Sequence, residues 1–267
     1  YSLHEKASDK IEEVGLRCRL DATKKTIAFC LFKYFPFGGL QRDFLRIALE
    51  TQARGFSIRV YTLQWDGAVP DGFDVVIIPV SAVTNHTKYR KYQSRVQAEL
   101  KKFPVERVVG FNKMPGLDIY FAADSCYEDK ALNQRSWAYR QMPRYRLFSE
   151  FERSVFGKPS STEVLMISSA QIPMFKKYYN TSNERMHLLS PGIARDRIAP
   201  ENREEIRVDL RREMGLANGE ILLLMIGSGF ITKGLDRALI AMSALPNSLL
   251  DRTKFIIIGQ DNPRAFE

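Results

Sequence analysis

Four groups of residues in this 267-residue chain have the types and spacing to do chemistry. Two are glycine turns. Gly38 and Gly39 separate the apolar run Ile27–Phe32 from a helical pattern that begins at Leu40, and Gly227-Ser228-Gly229 lies near the end of the run Glu220–Phe230, ahead of a second helical pattern carrying Thr232-Lys233-Gly234. Glycine lets backbone approach a ligand, and the unpaired N–H groups of a helix start attract phosphate or carboxylate oxygens. A Gly-Gly pair alone reads equally well as a tight strand-to-helix turn without a ligand. Lys233 sharpens the second case, because a cation near a helix start is unfavourably placed unless an anion is present. The third group is Asp124, which follows the apolar run Tyr120-Phe121-Ala122-Ala123; an Asp there commonly caps the next helix. The fourth is a block in which Trp137, Tyr139, Tyr145, Phe148, Phe151 and Phe156 alternate with Arg135, Arg140, Arg144, Arg146 and Arg153. It fits a helix with a solvated basic face and an aromatic core face, a segment meeting anionic lipid, or a nucleic-acid platform.

These groups need a scaffold, and the periodicity supplies one. Thr26–Phe32, Ser57–Tyr61, Phe73–Val80 and Arg107–Phe111 are short β-branched or apolar runs bounded by turn signals. Helical patterns follow Gly39 and Thr87, which gives the βαβ rhythm of a parallel sheet, whose strand ends are where ligands bind. Ser161–Ser168 is a further strand, Ala170–Asn180 a helix interrupted near Pro173, and Met186–Ile193 a strand that breaks at Ser190-Pro191-Gly192. After a charged helix around Arg203–Met214 the pattern restarts, with strands at Glu220–Phe230 and Lys254–Gly259 flanking one helix from Ile231 to Leu245. The expected class is α/β, with a helix and linker over 1–25, a complete Rossmann-like domain over 26–190 and part of a second over 191–267. Within 1–25, Ser2 and Glu5 have capping-box spacing and Leu3, Ala7, Ile11 and Val14 share one helical face, so this short helix needs a surface to dock on.

The excess of 40 Lys and Arg over 31 Asp and Glu points to an anionic partner: nucleic acid, a lipid surface or a phosphorylated substrate. No recognised nucleic-acid motif accompanies the charge, so nucleic acid is the least favoured. Cys18, Cys30 and Cys126 are odd in number and lack metal-ligand spacing, which argues against a disulfide framework or a zinc site and for a reducing, cytoplasmic setting. No signal segment or run of eighteen apolar residues is visible. Tyr rather than Met at position 1 suggests a fragment or a processed product.

The motifs themselves carry a resemblance. KYFPFGGLQRDF (Lys33–Phe44), RVVGFNKMPGLDIYFAAD (Arg107–Asp124), PGI with Arg197 after it, GSGFITKGLDRAL (Gly227–Leu239) and IIGQDNPRAFE resemble the bacterial lipopolysaccharide core glucosyltransferases from about Thr26 to Glu267. The resemblance implies the GT-B fold and transfer of glucose from UDP-glucose to the inner-core heptose with retention, without a metal or other cofactor, at the cytoplasmic face of the inner membrane. It assigns Lys233 and Arg197 to the sugar diphosphate, Gly38 and Gly39 to a loop approaching the donor, and Gly227, Ser228 and Phe230 to a loop beside the nucleotide. It makes Asp124 the acidic residue on the acceptor side, to orient or deprotonate the attacking hydroxyl. It places Arg135, Trp137, Tyr139, Arg140, Arg144, Tyr145 and Arg146 at an anionic membrane surface. The sequence departs from the family at Thr232, where an arginine is usual. The family's second lobe also continues past the GQD segment with two further glutamates, and its last helix resembles Tyr1–Glu13 here. Those departures lead to the expectation that these 267 residues alone have little activity.

Overall fold

The computed structural model describes residues 25–189, 192, 198–262, 264 and 266. The expected leading helix and linker therefore lie outside the described residues. Two compact units divide the chain, Tyr1–Gly192 and Ile193–Glu267.

The first unit is a seven-stranded parallel sheet: β1 (Thr26–Cys30), β3 (Ser57–Thr62), β5 (Phe73–Ile77), β6 (Arg107–Gly110), β7 (Ile119–Ala122), β8 (Glu163–Met166) and β9 (Met186–Leu188), in the order β5-β3-β1-β6-β7-β8-β9. A two-residue pair, β2 (Lys33–Tyr34) with β4 (Gln64–Trp65), extends the end of β1 and was too short to show in the sequence. Alternation along β1 explains why the sheet is covered on both faces. Ile27, Phe29 and Leu31 pack with Phe44, Ala48, Ile58 and Val60, whereas Ala28 and Cys30 pack with Tyr92, Val96, Val108 and Tyr120. The first face is covered by α1 (Gly39–Ala53), whose Phe44 and Ala48 are fully buried at i, i+4 spacing. The second is covered by α2 (Asn85–Lys102), started by the Thr84 hydroxyl accepting from the Thr87 N–H, together with α3 (Tyr127–Asn133), α4 (Pro143–Phe156) and α5 (Ile172–Tyr179).

The stretch Ala170–Asn180 is divided next to Pro173, where a 3₁₀ turn at Ser169–Gln171 gives way to α5; Pro173 lies in the first turn of α5, where its missing N–H costs nothing. The basic aromatic block resolves into α3, a 3₁₀ turn at Trp137–Gln141 and α4. On α4, Leu147, Phe151, Val155 and Phe156 are buried while Arg144, Arg146 and Arg153 are exposed, the arrangement of a solvated basic face over an aromatic core.

In the second unit α6 (Arg203–Glu213) precedes β10 (Ile221–Ile226), which runs parallel to β11 (Thr253–Ile258). The single helix expected between them is two, α7 (Phe230–Lys233) and α8 (Leu235–Ser243), and a further short one, α9 (Asn247–Leu250), follows. The break falls at Gly234, whose φ of 86° is left-handed and ends α7. Among the described residues no helix is long and apolar enough to cross a membrane.

Candidate functional site

Strand order reverses at β1. The chain moves from β1 outward through β3 and β5, then crosses back to β6 on the other side, leaving a crevice beyond the carboxyl ends of β1 and β6. A cavity of about 270 Å³ lies there. Phe32 enters it from the end of β1, Asn112 and Lys113 from the end of β6, and Asp124 and Ser125 from the end of β7, with α3 and α4 closing the side through Lys130, Arg144 and Phe148. The floor is fixed by backbone chemistry. The Phe32 N–H donates to Asn112 Oδ1 at 2.7 Å, which commits that oxygen and leaves the amide NH₂ for a ligand, and the Phe32 ring stacks on Tyr89 at 3.9 Å.

Asp124 is exposed, and its carboxylate accepts no hydrogen bond among the described residues. It does not cap the helix that follows. That work falls to Glu152, whose fully buried carboxylate accepts from the backbone N–H groups of Tyr127 (2.8 Å) and Glu128 (2.9 Å) at the start of α3. The same carboxylate accepts from the Tyr179 hydroxyl at 2.6 Å and pairs with Lys113, whose ammonium also donates to the Ser125 carbonyl at 3.0 Å. Lys113 lies within 5.8 Å of the Phe156 ring and 5.5 Å of the Phe175 ring. One buried ion pair thus clamps the end of β6, the turn after Asp124 and the middle of α4. Burial and the neighbouring Glu152 charge push the Cys126 thiol up to about 12, and they push the Tyr179 hydroxyl well above its ordinary value. Glu152 carried a signal in the sequence: it stands four residues from both Phe148 and Phe156, a charge within the apolar stripe of its helix.

Gly38 is the N-cap of α1 with extended backbone, so it is room that demands glycine there: a Cβ would fall 1.9 Å from Gln41 Oε1. Gln41 is itself buried and donates to the Lys33 carbonyl at 3.0 Å, locking the turn. A Cβ on Gly39 would meet nothing within 4 Å. No side chain caps α1 and no acid stands in its first turn, so its N–H groups are open to an anion.

In the second unit the loop Gly227–Phe230 is tied to the end of β11. Ser228 Oγ accepts from the Gln260 N–H at 3.2 Å, and Asp261 Oδ2 accepts from the Phe230 N–H at 2.7 Å. The structure brings Lys233 onto this loop: its Cε lies 3.3 Å from where a Gly227 Cβ would stand. Lys233 is the last residue of α7 rather than near the start of a long helix, so the unfavourable dipole argument for it no longer holds in that form. The Phe230 ring is buried against this unit's own core and contacts Phe266, leaving only its backbone at the loop surface. Asp261, which fixes the loop, was not singled out from sequence. Arg197 lies outside the described residues.

Of the residues assigned to a membrane surface, Trp137 is 70% exposed, and Arg135, Arg144 and Arg146 are exposed. Two tyrosines turn inward instead. Tyr139 shares a 2.8 Å hydrogen bond with Tyr127, and Tyr145 donates to Glu128 at 2.7 Å. Among the described residues no group of three or more His, Cys, Asp or Glu side chains could hold a metal ion.

No protein-family model matches the chain. It is 47% identical over 241 residues to the lipopolysaccharide glucosyltransferase WaaG of Escherichia coli (strain K12), a match that covers 90% of this chain and 64% of that protein. The crystal structure of WaaG, a glycosyltransferase involved in lipopolysaccharide biosynthesis, superposes with a TM-score of 0.84 at 47% identity, covering 90% of this chain and 65% of the other. A glycosyltransferase from Rickettsia africae shares the fold alone, at 11% identity and a TM-score of 0.52 over 90% of this chain and 69% of that one. The resemblance read from the motifs is borne out, and the fold is that of the GT-B glycosyltransferases.

Proposed function

We propose, taking the GT-B glycosyltransferase fold of this chain as premise, that it serves a metal-independent transferase moving glucose from UDP-glucose to a heptose of the lipopolysaccharide inner core. The observation that carries the reading is the uncommitted carboxylate of Asp124 in the crevice where strand order reverses. A carboxylate without a protein partner is free to take or orient the proton of a hydroxyl. In the step envisaged, the acceptor oxygen forms a bond to the anomeric carbon while the bond from that carbon to the diphosphate oxygen breaks. The bonding pair leaves with UDP. Attack on the face from which UDP departs retains configuration. The departing charge is met by the Lys233 ammonium and by the peptide N–H groups of Ser228 and Gly229 in the same loop. Arg197 is assigned to the same diphosphate.

The test is transfer of radiolabelled glucose to glucose-free core lipopolysaccharide, comparing the unsubstituted sequence with Asp124→Asn and Lys233→Ala, all three carried in a polypeptide spanning the full length of the matched relative. Asp124→Asn is expected to lower kcat by about 10²–10⁴-fold with little change in the KM for UDP-glucose. Lys233→Ala is expected to lower kcat/KM for the donor. Full activity of Asp124→Asn would remove the base assignment, and better use of another nucleotide sugar would remove the glucose assignment.

The exposed Trp137 among Arg135, Arg140 and Arg146 favours a second property, peripheral attachment to the anionic cytoplasmic face of the inner membrane. The same attachment without transfer is the competing reading, a non-catalytic lipid-binding module. Co-sedimentation with anionic vesicles should weaken with salt and on Trp137→Ala; equal binding to neutral vesicles would exclude the charge-driven account.

A further inference from the structure

We infer that the Asp124 cavity is built for an anionic sugar: a phosphate or carboxylate on the acceptor is held by Lys130 and Arg144 while Asp124 meets a hydroxyl of the same molecule. This rests on the acceptor reading given above and adds the chemical class of the acceptor.

Three cations line the cavity, Lys113, Lys130 and Arg144, against one carboxylate, Asp124. Lys113 is spoken for, since its ammonium is paired with buried Glu152 and bonded to the Ser125 carbonyl. The other acids of α3, which carries Lys130, are turned elsewhere. Glu128 accepts from the Tyr145 hydroxyl at 2.7 Å and from Ser149 Oγ at 2.9 Å, and Asp129 accepts from the Tyr178 hydroxyl at 3.0 Å and from Asn133 Nδ2 at 2.8 Å. Neither Lys130 nor Arg144 forms an ion pair among the described residues. Arg144 is nonetheless not a free surface side chain. Its guanidinium is held 5.5 Å from the centre of the Phe148 ring, which lines the same cavity, and a planar guanidinium so held is pre-organised to grip two oxygens of one anion. With the Lys113 charge cancelled, two cations face one carboxylate, and the surplus positive charge favours an anionic ligand over a neutral sugar.

The test uses the full chain without donor, so it reads the cavity alone. Binding of mannose, mannose 6-phosphate and glucuronate is measured at equal concentrations by saturation-transfer NMR, with the two charged arms separating phosphate from carboxylate recognition. At least one anionic sugar is expected to bind about tenfold more tightly than mannose, the worth of one charge-assisted hydrogen bond. Lys130→Gln and Arg144→Gln should each remove most of that preference and leave mannose binding unchanged, and Asp124→Asn should strengthen binding of the anion. Both cations are exposed, so unchanged tryptophan fluorescence would certify that the variants fold. Mannose bound as well as both anions, or a preference that survives both substitutions, would overturn the anionic subsite while leaving a sugar acceptor intact. Failure of the chain to bind any of the three would overturn the acceptor reading as well.

Discussion

Replacing Glu152 by Gln is the sharpest test of how the Asp124 wall is held. The carboxylate is fully buried, and Lys113 opposite it is only 11% exposed. One oxygen accepts from Lys113 and the Tyr127 N–H, the other from the Tyr179 hydroxyl and the Glu128 N–H. An amide keeps one acceptor and turns a donor toward the other pair, leaving a buried ammonium without its counter-charge. Removing one member of a buried ion pair costs about 3–5 kcal/mol. For a unit of this size that lowers Tm by roughly 10 °C. The assay is convenient, because Trp65 and Trp137 both belong to the first unit, so urea unfolding followed by tryptophan fluorescence reports on that unit alone. The double change Glu152→Gln with Lys113→Met should cost less than Glu152→Gln alone, since it removes the unpaired buried ammonium while the amide oxygen still accepts from part of the backbone and hydroxyl donors. A Glu152→Gln loss below about 1 kcal/mol, or a double change worse than the single one, would refute the clamp.

Two further predictions follow from local geometry. Gly39→Ala has open space for its Cβ and should leave stability unchanged or raise it by about 0.5–1 kcal/mol, while raising the KM for UDP-glucose about tenfold if backbone at the start of α1 approaches the donor; an unchanged KM would leave only a turn. The thiols of Cys30 and Cys126 are pushed up to about 12 by burial, so the unfolded chain ionises them first as pH rises past 9.0, and the stability they contribute is present below that pH and lost towards 12. In a Cys18→Ser chain, denaturant midpoints should fall over that window and neither thiol should react with a thiol reagent at pH 8 before unfolding.

The strands of the first unit were legible because a doubly covered parallel sheet needs continuous apolar runs, and Ile27–Phe32 is one. The glycine turns and Asp124 were legible as strand-end residues, which is where the fold puts its crevice. Periodicity failed where tertiary contacts decide. The break at Gly234 lies inside a helical pattern and is set by a left-handed backbone turn, and Tyr139 and Tyr145 read as surface aromatics although Tyr127 and Glu128 draw their hydroxyls inward. Glu152 was missed for the same reason. A buried carboxylate is explained by partners 24 to 39 residues away, which no local window contains.

The position of β1 also bears on how the polypeptide is made. Among the described strands of this sheet it comes earliest in the chain, and it lies in the interior, flanked by β3 and by β6, whose register partner for Ile27 is Arg107. At ribosomal rates of about 5–20 residues per second, one edge of an almost wholly apolar segment stays bare for some 4–16 s before its second neighbour emerges. Nascent chains of this protein are therefore exposed to mispairing through that edge, and shielding by a chaperone would matter most in the interval between synthesis of β3 and β6.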